Sequence, residues 1–103
     1  MSTEKILEVD HFTTSTGSLD ISFIGHGSLM LNWNGRIIHV DPFGKQADYG
    51  ILPKADILLV THEHGDHMDM EAVNQIMTSN TQIIYTKTCE KQLPGGLVMK
   101  RVV

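Results

Sequence analysis

Excess positive charge is missing from this chain of 103 residues, in which 8 Lys and Arg stand against 12 Asp and Glu for a net charge of -4. That balance excludes the basic footprint of a generic nucleic-acid binder, and no nucleic-acid partner is expected. Long apolar runs are missing too. The longest, Ile57–Val60 and Ile83–Tyr85, fall far short of the roughly 20 residues that a membrane-spanning helix needs. Cys89 stands alone, so neither an intrachain disulfide nor a cysteine-based structural zinc site can be assembled. The opening residues run into Ile6-Leu7-Glu8-Val9-Asp10 without the apolar core of a signal peptide, and with the lone cysteine they point to a reducing cytoplasm. Repeats, low-complexity tracts and linkers are also lacking. The 41% hydrophobic and 19% charged fractions exclude disordered, collagen-like and coiled-coil classes, and the length suits one domain.

Histidine, by contrast, is plentiful. There are six, three of them within Thr61-His62-Glu63-His64-Gly65-Asp66-His67. The segments around this cluster read as alternating strands and one helix. Strands are expected over about Lys5–Phe12 and Leu19–Ile24, separated by a Thr/Ser/Gly turn at Thr13–Ser18. Gly25 and Gly27 flank His26 and suggest a tight bend that presents its ring. Leu29–Trp33 and Arg36–Asp41 are joined by Asn34-Gly35, the preferred pair for a two-residue type I′ hairpin. Pro42 ends that hairpin, and Lys45–Lys54 reads as a loop. Ile57–Val60 is a continuous apolar run, as in a strand covered on both faces. A helix is predicted over about Met70–Ser79, with Asp69 as N-cap and Met70, Val73, Ile76 and Met77 along one side. Gln82–Thr86 reads as a strand, Thr88–Leu93 as a further helical turn, and Leu97–Val103 as a last strand. Strand, helix, strand over Ile57–Thr86 is a βαβ unit, so the fold class is α/β (α+β) with a mixed sheet.

The histidines follow a strand whose carboxyl end is where α/β sheets place their ligands. In extended chain His62 and His64 point to the same side and can share one ion, with Glu63 facing away. Gly65 allows a sharp turn, after which Asp66 and His67 can reach a second position. Two-metal hydrolytic sites hold their ions about 3.5–4 Å apart, a span one such turn can bridge. A single histidine is most often a surface or hydrogen-bonded residue, but four candidate ligands between His62 and His67 favour metal. The zincin helix pattern fails, because it needs a histidine where Asp66 stands.

Thr61–His67, set after Ala55-Asp56-Ile57-Leu58-Leu59-Val60, resembles the H-x-H-x-D-H signature of the metallo-β-lactamase superfamily. Phe23-Ile24-Gly25-His26-Gly27-Ser28 and Val40-Asp41-Pro42-Phe43 look most like the branch containing ascorbate-6-phosphate lactonase and related metal-dependent hydrolases. The resemblance runs from about Leu19 to Val98. It implies that His62 and His64 bind a first metal, and that Asp66 and His67 bind a second. Asp66 would also help hold the attacking water and so act in catalysis. Asp41 would orient a ligand histidine by accepting its hydrogen bond, and His26 would face the site as a substrate contact or supporting residue. Residue type alone also allows Asp41 to be a turn carboxylate and His26 a structural histidine. His11 and His39 carry no motif, and Cys89 reads as a small buried residue. The implied cofactor is one or two divalent ions, zinc first, with manganese or iron compatible.

The resemblance also implies that something is missing. A complete domain of the superfamily is an αβ/βα sandwich about twice as long, whose second half adds two histidines and a bridging aspartate. No histidine follows His67, so each site here would have two protein ligands where a catalytic zinc normally has three. Residues 1–103 are therefore expected to be the N-terminal half of such a domain, its apolar end Val102-Val103 marking a chain cut short. The expected function is metal-dependent hydrolysis of a small-molecule lactone, ester or phosphoester by a metal-bound hydroxide, silent in this chain alone. The alternative is a non-catalytic metal-binding half-domain that needs a partner chain or self-association, and a homo-oligomer is expected through an uncovered sheet.

Overall fold

The computed structural model describes residues 8–25, 27–44, 47–61, 69–90 and 93–99. Their strands are β1 (Glu8–Thr14), β2 (Gly17–Gly25), β3 (Ser28–Trp33), β4 (Arg36–Val40), β5 (Ile57–Val60), β6 (Gln82–Tyr85) and β7 (Leu97–Val98). They form one sheet in the order of the chain. β1 to β4 are an antiparallel meander, and β4 to β7 are parallel. The helix α1 (Met70–Ile76) joins β5 to β6, which is the expected βαβ unit in a mixed sheet.

Local chemistry explains most of these elements. At the β3–β4 turn both Asn34 (φ 50) and Gly35 (φ 89) are left-handed, the requirement of a type I′ turn. The β1–β2 connection is tighter than its Thr/Ser/Gly content predicts: Thr14 pairs directly with Gly17. The Thr14 hydroxyl donates to the Gly17 carbonyl at 2.6 Å, and Asn34 braces the turn through Ser18 N at 3.1 Å and Thr16 O at 2.8 Å. The polar residues therefore extend the strands.

Asp69 caps α1 as expected, its carboxylate accepting from Glu71 N and Ala72 N. The helix stops at Ile76, short of the predicted Ser79, because Met77 is extended (φ -79, ψ 145) and the Ile76 carbonyl accepts from Ala55 N at 2.8 Å. Beyond it, Thr81 Oγ1 accepts from Thr78 N at 2.8 Å and donates to Ala55 O at 2.6 Å, so side-chain bonds compete with a further turn. The predicted turn at Thr88–Leu93 is a short 3-10 helix over Lys87–Cys89, and Cys89 is buried. The last strand is described at Leu97–Val98; Met99 of that prediction is already outside it, and residues 100–103 lie outside the described residues.

The core lies on one side of the sheet. Aligned across the strands, Ser22, Met30, His39, Leu58 and Ile83 share a face, and Ser22, His39 and Leu58 are buried there with Ile24, Val60 and Tyr85. Ala72, Val73 and Ile76 of α1 complete the cluster with Tyr49 and Ala55. The opposite face carries Phe23, Leu29, Val40, Leu59, Ile84 and Leu97 in one row. Phe23 is 58% exposed and Leu97 56%. The expectation that Ile57–Val60 is covered on both faces therefore needs correction. Leu58 and Val60 are buried while Ile57 and Leu59 are only half-buried, because the helix packs against one side only.

Candidate functional site

β4 and β5 run parallel, so their carboxyl ends lie at the same edge of the sheet. β4 is followed directly by Asp41, which adopts an uncommon left-handed backbone for a residue with a side chain (φ 46). Such a conformation costs on the order of 1–3 kcal/mol and persists only where its surroundings over-determine it. Asp41 meets that condition: its N–H donates to Leu59 O at 2.9 Å, and its carbonyl accepts from the Ser28 hydroxyl at 2.5 Å. Its carboxylate accepts from Thr61 twice, from the backbone N–H at 2.7 Å and from Oγ1 at 2.6 Å. Asp41 is 4% exposed and Ser28 fully buried, so these bonds are shielded from competing water.

Thr61 is the residue just before the histidine motif. On the far side of the motif Asp69 divides its carboxylate: Oδ1 caps α1 at Glu71 N (3.1 Å) and Ala72 N (3.3 Å), while Oδ2 accepts from Gly44 N at 2.8 Å. One turn, Asp41–Gly44, thus grips both flanks of residues 62–68. A cleft of about 340 Å³ beside it is lined by Gly44, Asp69, Glu71, Ala72 and Gln75.

The predicted ligands His62, His64, Asp66 and His67, and with them His26, lie outside the described residues. Among the described residues no three His, Cys, Asp or Glu side chains gather to hold an ion. The neighbours of His26 are described, and Gly25 (φ 130) and Gly27 (φ 87) both have the glycine-type backbone of the expected bend. Asp41 was expected to orient a ligand histidine. Its described side-chain partner is Thr61, and each carboxylate oxygen keeps a second lone pair with which it can also accept a ring N–H. The donor set in the motif, three imidazoles and a carboxylate, fits a divalent transition ion.

Sequence reasoning passed over Ser28, Thr61, Tyr49 and the second role of Asp69. Ser28 and Thr61 stand within the segments that carry the resemblance, and Thr61 and Asp69 flank the cluster, whereas Tyr49 has no such signal. His39, given no role, is fully buried. Its Nε2 lies 2.9 Å from Pro53 O, and because a carbonyl only accepts, the ring is protonated there; among the described residues Nδ1 has no hydrogen-bond partner. Burial lowers its pKa from 6.5, partly offset by the Pro53 bond. Tyr49 packs against it, ring centroids 5.7 Å apart. Burial pushes the Tyr49 phenol up, the Phe43 backbone and Ser28 hydroxyl oppose that, and the Asp69 and Asp41 charges add to it. Among the described residues the Tyr49 hydroxyl has no partner in hydrogen-bonding geometry. His11, also without a role, forms an exposed 2.6 Å pair with Asp20, which contributes little.

A mixed sheet with a βαβ unit, in which the His62–His67 segment follows β5 in the sequence, is the arrangement expected of the N-terminal portion of a metallo-β-lactamase-type fold. The chain belongs to that superfamily: the family described as Beta-lactamase superfamily domain matches residues 20–100. Its relatives include three proteins named UPF0173 metal-dependent hydrolase. That of Flavobacterium johnsoniae is 42% identical over 76 residues, 63% of this chain and 33% of the relative. The one from Thermodesulfovibrio yellowstonii is 36% identical over 52% of this chain and 23% of its own length, and the one from Geobacillus thermodenitrificans 33% over 66% and 31%. A crystal structure from Parabacteroides distasonis, of a protein provisionally described as a metal-dependent hydrolase, superposes with a TM-score of 0.88. It is 46% identical and covers 91% of this chain and 43% of that one. The chain thus spans less than half the length of the solved relative, and the matched segments cover a third or less of the curated ones.

Proposed function

We propose that residues 1–103 are the N-terminal half of a metal-dependent hydrolase domain, with His62 and His64 holding one divalent ion and Asp66 and His67 a second. The observation that carries this reading is the Asp41–Gly44 turn, which bonds to Thr61 on one side of the motif and to Asp69 on the other. The names of the relatives support the same chemistry. A divalent ion, zinc before manganese or iron, would supply Lewis-acid activation of a water and of the scissile group. The residues of this chain do the rest. Asp41 fixes Thr61 and with it the direction in which the chain leaves β5, Asp66 helps hold the attacking water, and His26 contacts the substrate from the neighbouring bend. The proposed substrate is a small lactone, ester or phosphoester.

With two ligands per ion in this half, turnover requires the part of the domain that the longer relatives possess, and the chain alone is expected to be silent. The cytoplasm is the proposed location, on the strength of the single cysteine. Among the described residues no helix is long and apolar enough to cross a membrane. The test is metal content after dialysis against zinc, measured for the parent chain and for His62→Ala. The variant should retain clearly less zinc; equal content in both would overturn the ligand assignment.

A further inference from the structure

We propose that Asp69 is a positioning residue for the metal-binding motif, tying the Asp41–Gly44 turn to the start of α1 so that both flanks of the motif are set by one turn before any ion arrives. The proposal rests on the metal reading above. A helix N-cap needs one acceptor oxygen, and Oδ1 alone meets that need by accepting from Glu71 N and Ala72 N. Oδ2 is free for another purpose and takes the Gly44 N–H, from 25 residues earlier in the chain, at 2.8 Å. Such a bond to a carboxylate is stronger than a bond between neutral groups.

Gly44 is built for this approach. Its φ lies outside the left-handed region, so its dihedrals do not demand glycine, yet a Cβ there would lie 3.0 Å from Asp69 Oδ2. A side chain at 44 would therefore press on the carboxylate and push Oδ2 away by a few tenths of an ångström. Three residues upstream in the same turn, Asp41 holds Thr61 through two bonds. The turn is also anchored to a buried group, since the fully buried Ser28 hydroxyl holds the Asp41 carbonyl. Thr61 and Asp69 are therefore fixed relative to each other by a rigid intermediary, and loss of the Gly44 bond should loosen Thr61 although no partner of Thr61 has been removed.

Substitution can separate the cap from the clamp. Asp69→Ser keeps a good N-cap but has one oxygen and cannot also hold Gly44, Asp69→Ala loses both functions, and Gly44→Ala crowds Oδ2 while leaving Oδ1 on the helix. Three measurements on the purified chain decide between the roles: melting temperature, hydrogen exchange at the Thr61 amide without metal, and zinc affinity by competition with a chromogenic chelator. Asp69→Ser should melt close to the parent, whereas its Thr61 amide should exchange faster and its zinc affinity fall, each by roughly tenfold, the size of one lost bond to a charged group. Gly44→Ala should behave like Asp69→Ser, and Asp69→Ala should also melt lower. Parental Thr61 exchange or parental zinc affinity in Asp69→Ser would overturn the proposal and leave Asp69 as a cap. If the parent itself takes up no zinc, the metal reading fails separately, and Thr61 exchange alone decides whether the clamp exists.

Discussion

His39 and Asp41, two residues apart on one strand, show how differently buried polar groups are settled. Asp41 is held by bonds from Ser28 and Thr61. Among the described residues His39 is buried with a single bond, to Pro53 O, and an unpartnered Nδ1, an arrangement that disfavours the charged ring because burying a charge is costly. In the unfolded chain a histidine takes up its proton near its ordinary pKa of 6.5, whereas burial holds His39 neutral to lower pH. Below that value the unfolded state binds more protons, so the contribution of His39 to stability is complete above it and is lost as the pH falls toward the lowered folded value. His39→Gln can still donate an amide N–H toward Pro53 but cannot titrate. Melting temperatures of parent and variant, taken from neutral pH down through the histidine range, should therefore converge or cross, with the parent falling more steeply. Parallel curves would show that His39 does not titrate differentially. The other histidines are common to both proteins and cancel in the comparison.

Elements whose causes are local follow their sequence closely. The β3–β4 hairpin depends on Asn34 and Gly35 both being left-handed, and Gly35 has no neighbouring atom within 4 Å of where a Cβ would stand. Gly35→Ala is therefore a test of backbone conformation without a packing change. Placing a Cβ in the left-handed region costs about 1–2 kcal/mol, and urea unfolding should show a loss of that size with an unchanged denaturant slope. A smaller loss would mean that the turn can switch type without disturbing the sheet. α1 behaves otherwise. Its start is local, through Asp69, but its end is set by Ala55 N, which takes the Ile76 carbonyl from a distant loop, and no periodicity within Met70–Ser79 could announce that.

In the whole molecule one face of the sheet is a finished core and the other is not. Phe12, Phe23 and Leu97 are 50%, 58% and 56% exposed, and Leu29, Val40, Leu59 and Ile84 lie half-buried in the same row as Phe23 and Leu97. Strands about 4.8 Å apart make this face roughly 30 Å wide, and leaving its apolar surface in water costs about 25 cal/mol per Å². Two such faces packed together approach the roughly 1,200–2,000 Å² of a stable interface. The isolated chain is therefore expected to sediment as a dimer or larger species. Phe23→Lys, which places a charge in the middle of the row, should shift it toward monomer. A parent chain that sediments as a stable monomer would refute this association.

From the sequence alone the strands, the hairpin, the helix cap at Asp69 and the parallel βαβ unit could be read, because each depends on dihedral preference or hydrophobic spacing within a few residues. The glycine-type backbone at Gly25 and Gly27 was legible for the same reason, while His26 between them lies outside the described residues. Only the tertiary structure decided that Ser28 and Thr61 both bond to Asp41, that Tyr49 and His39 are fully buried, and that Asp69 reaches Gly44 as well as its own helix. It also decided that Leu58 is core while its neighbours Ile57 and Leu59 remain half-exposed. These facts depend on which segments the sheet order brings together, and a hydrogen bond between residues 25 apart leaves no local trace in composition or period.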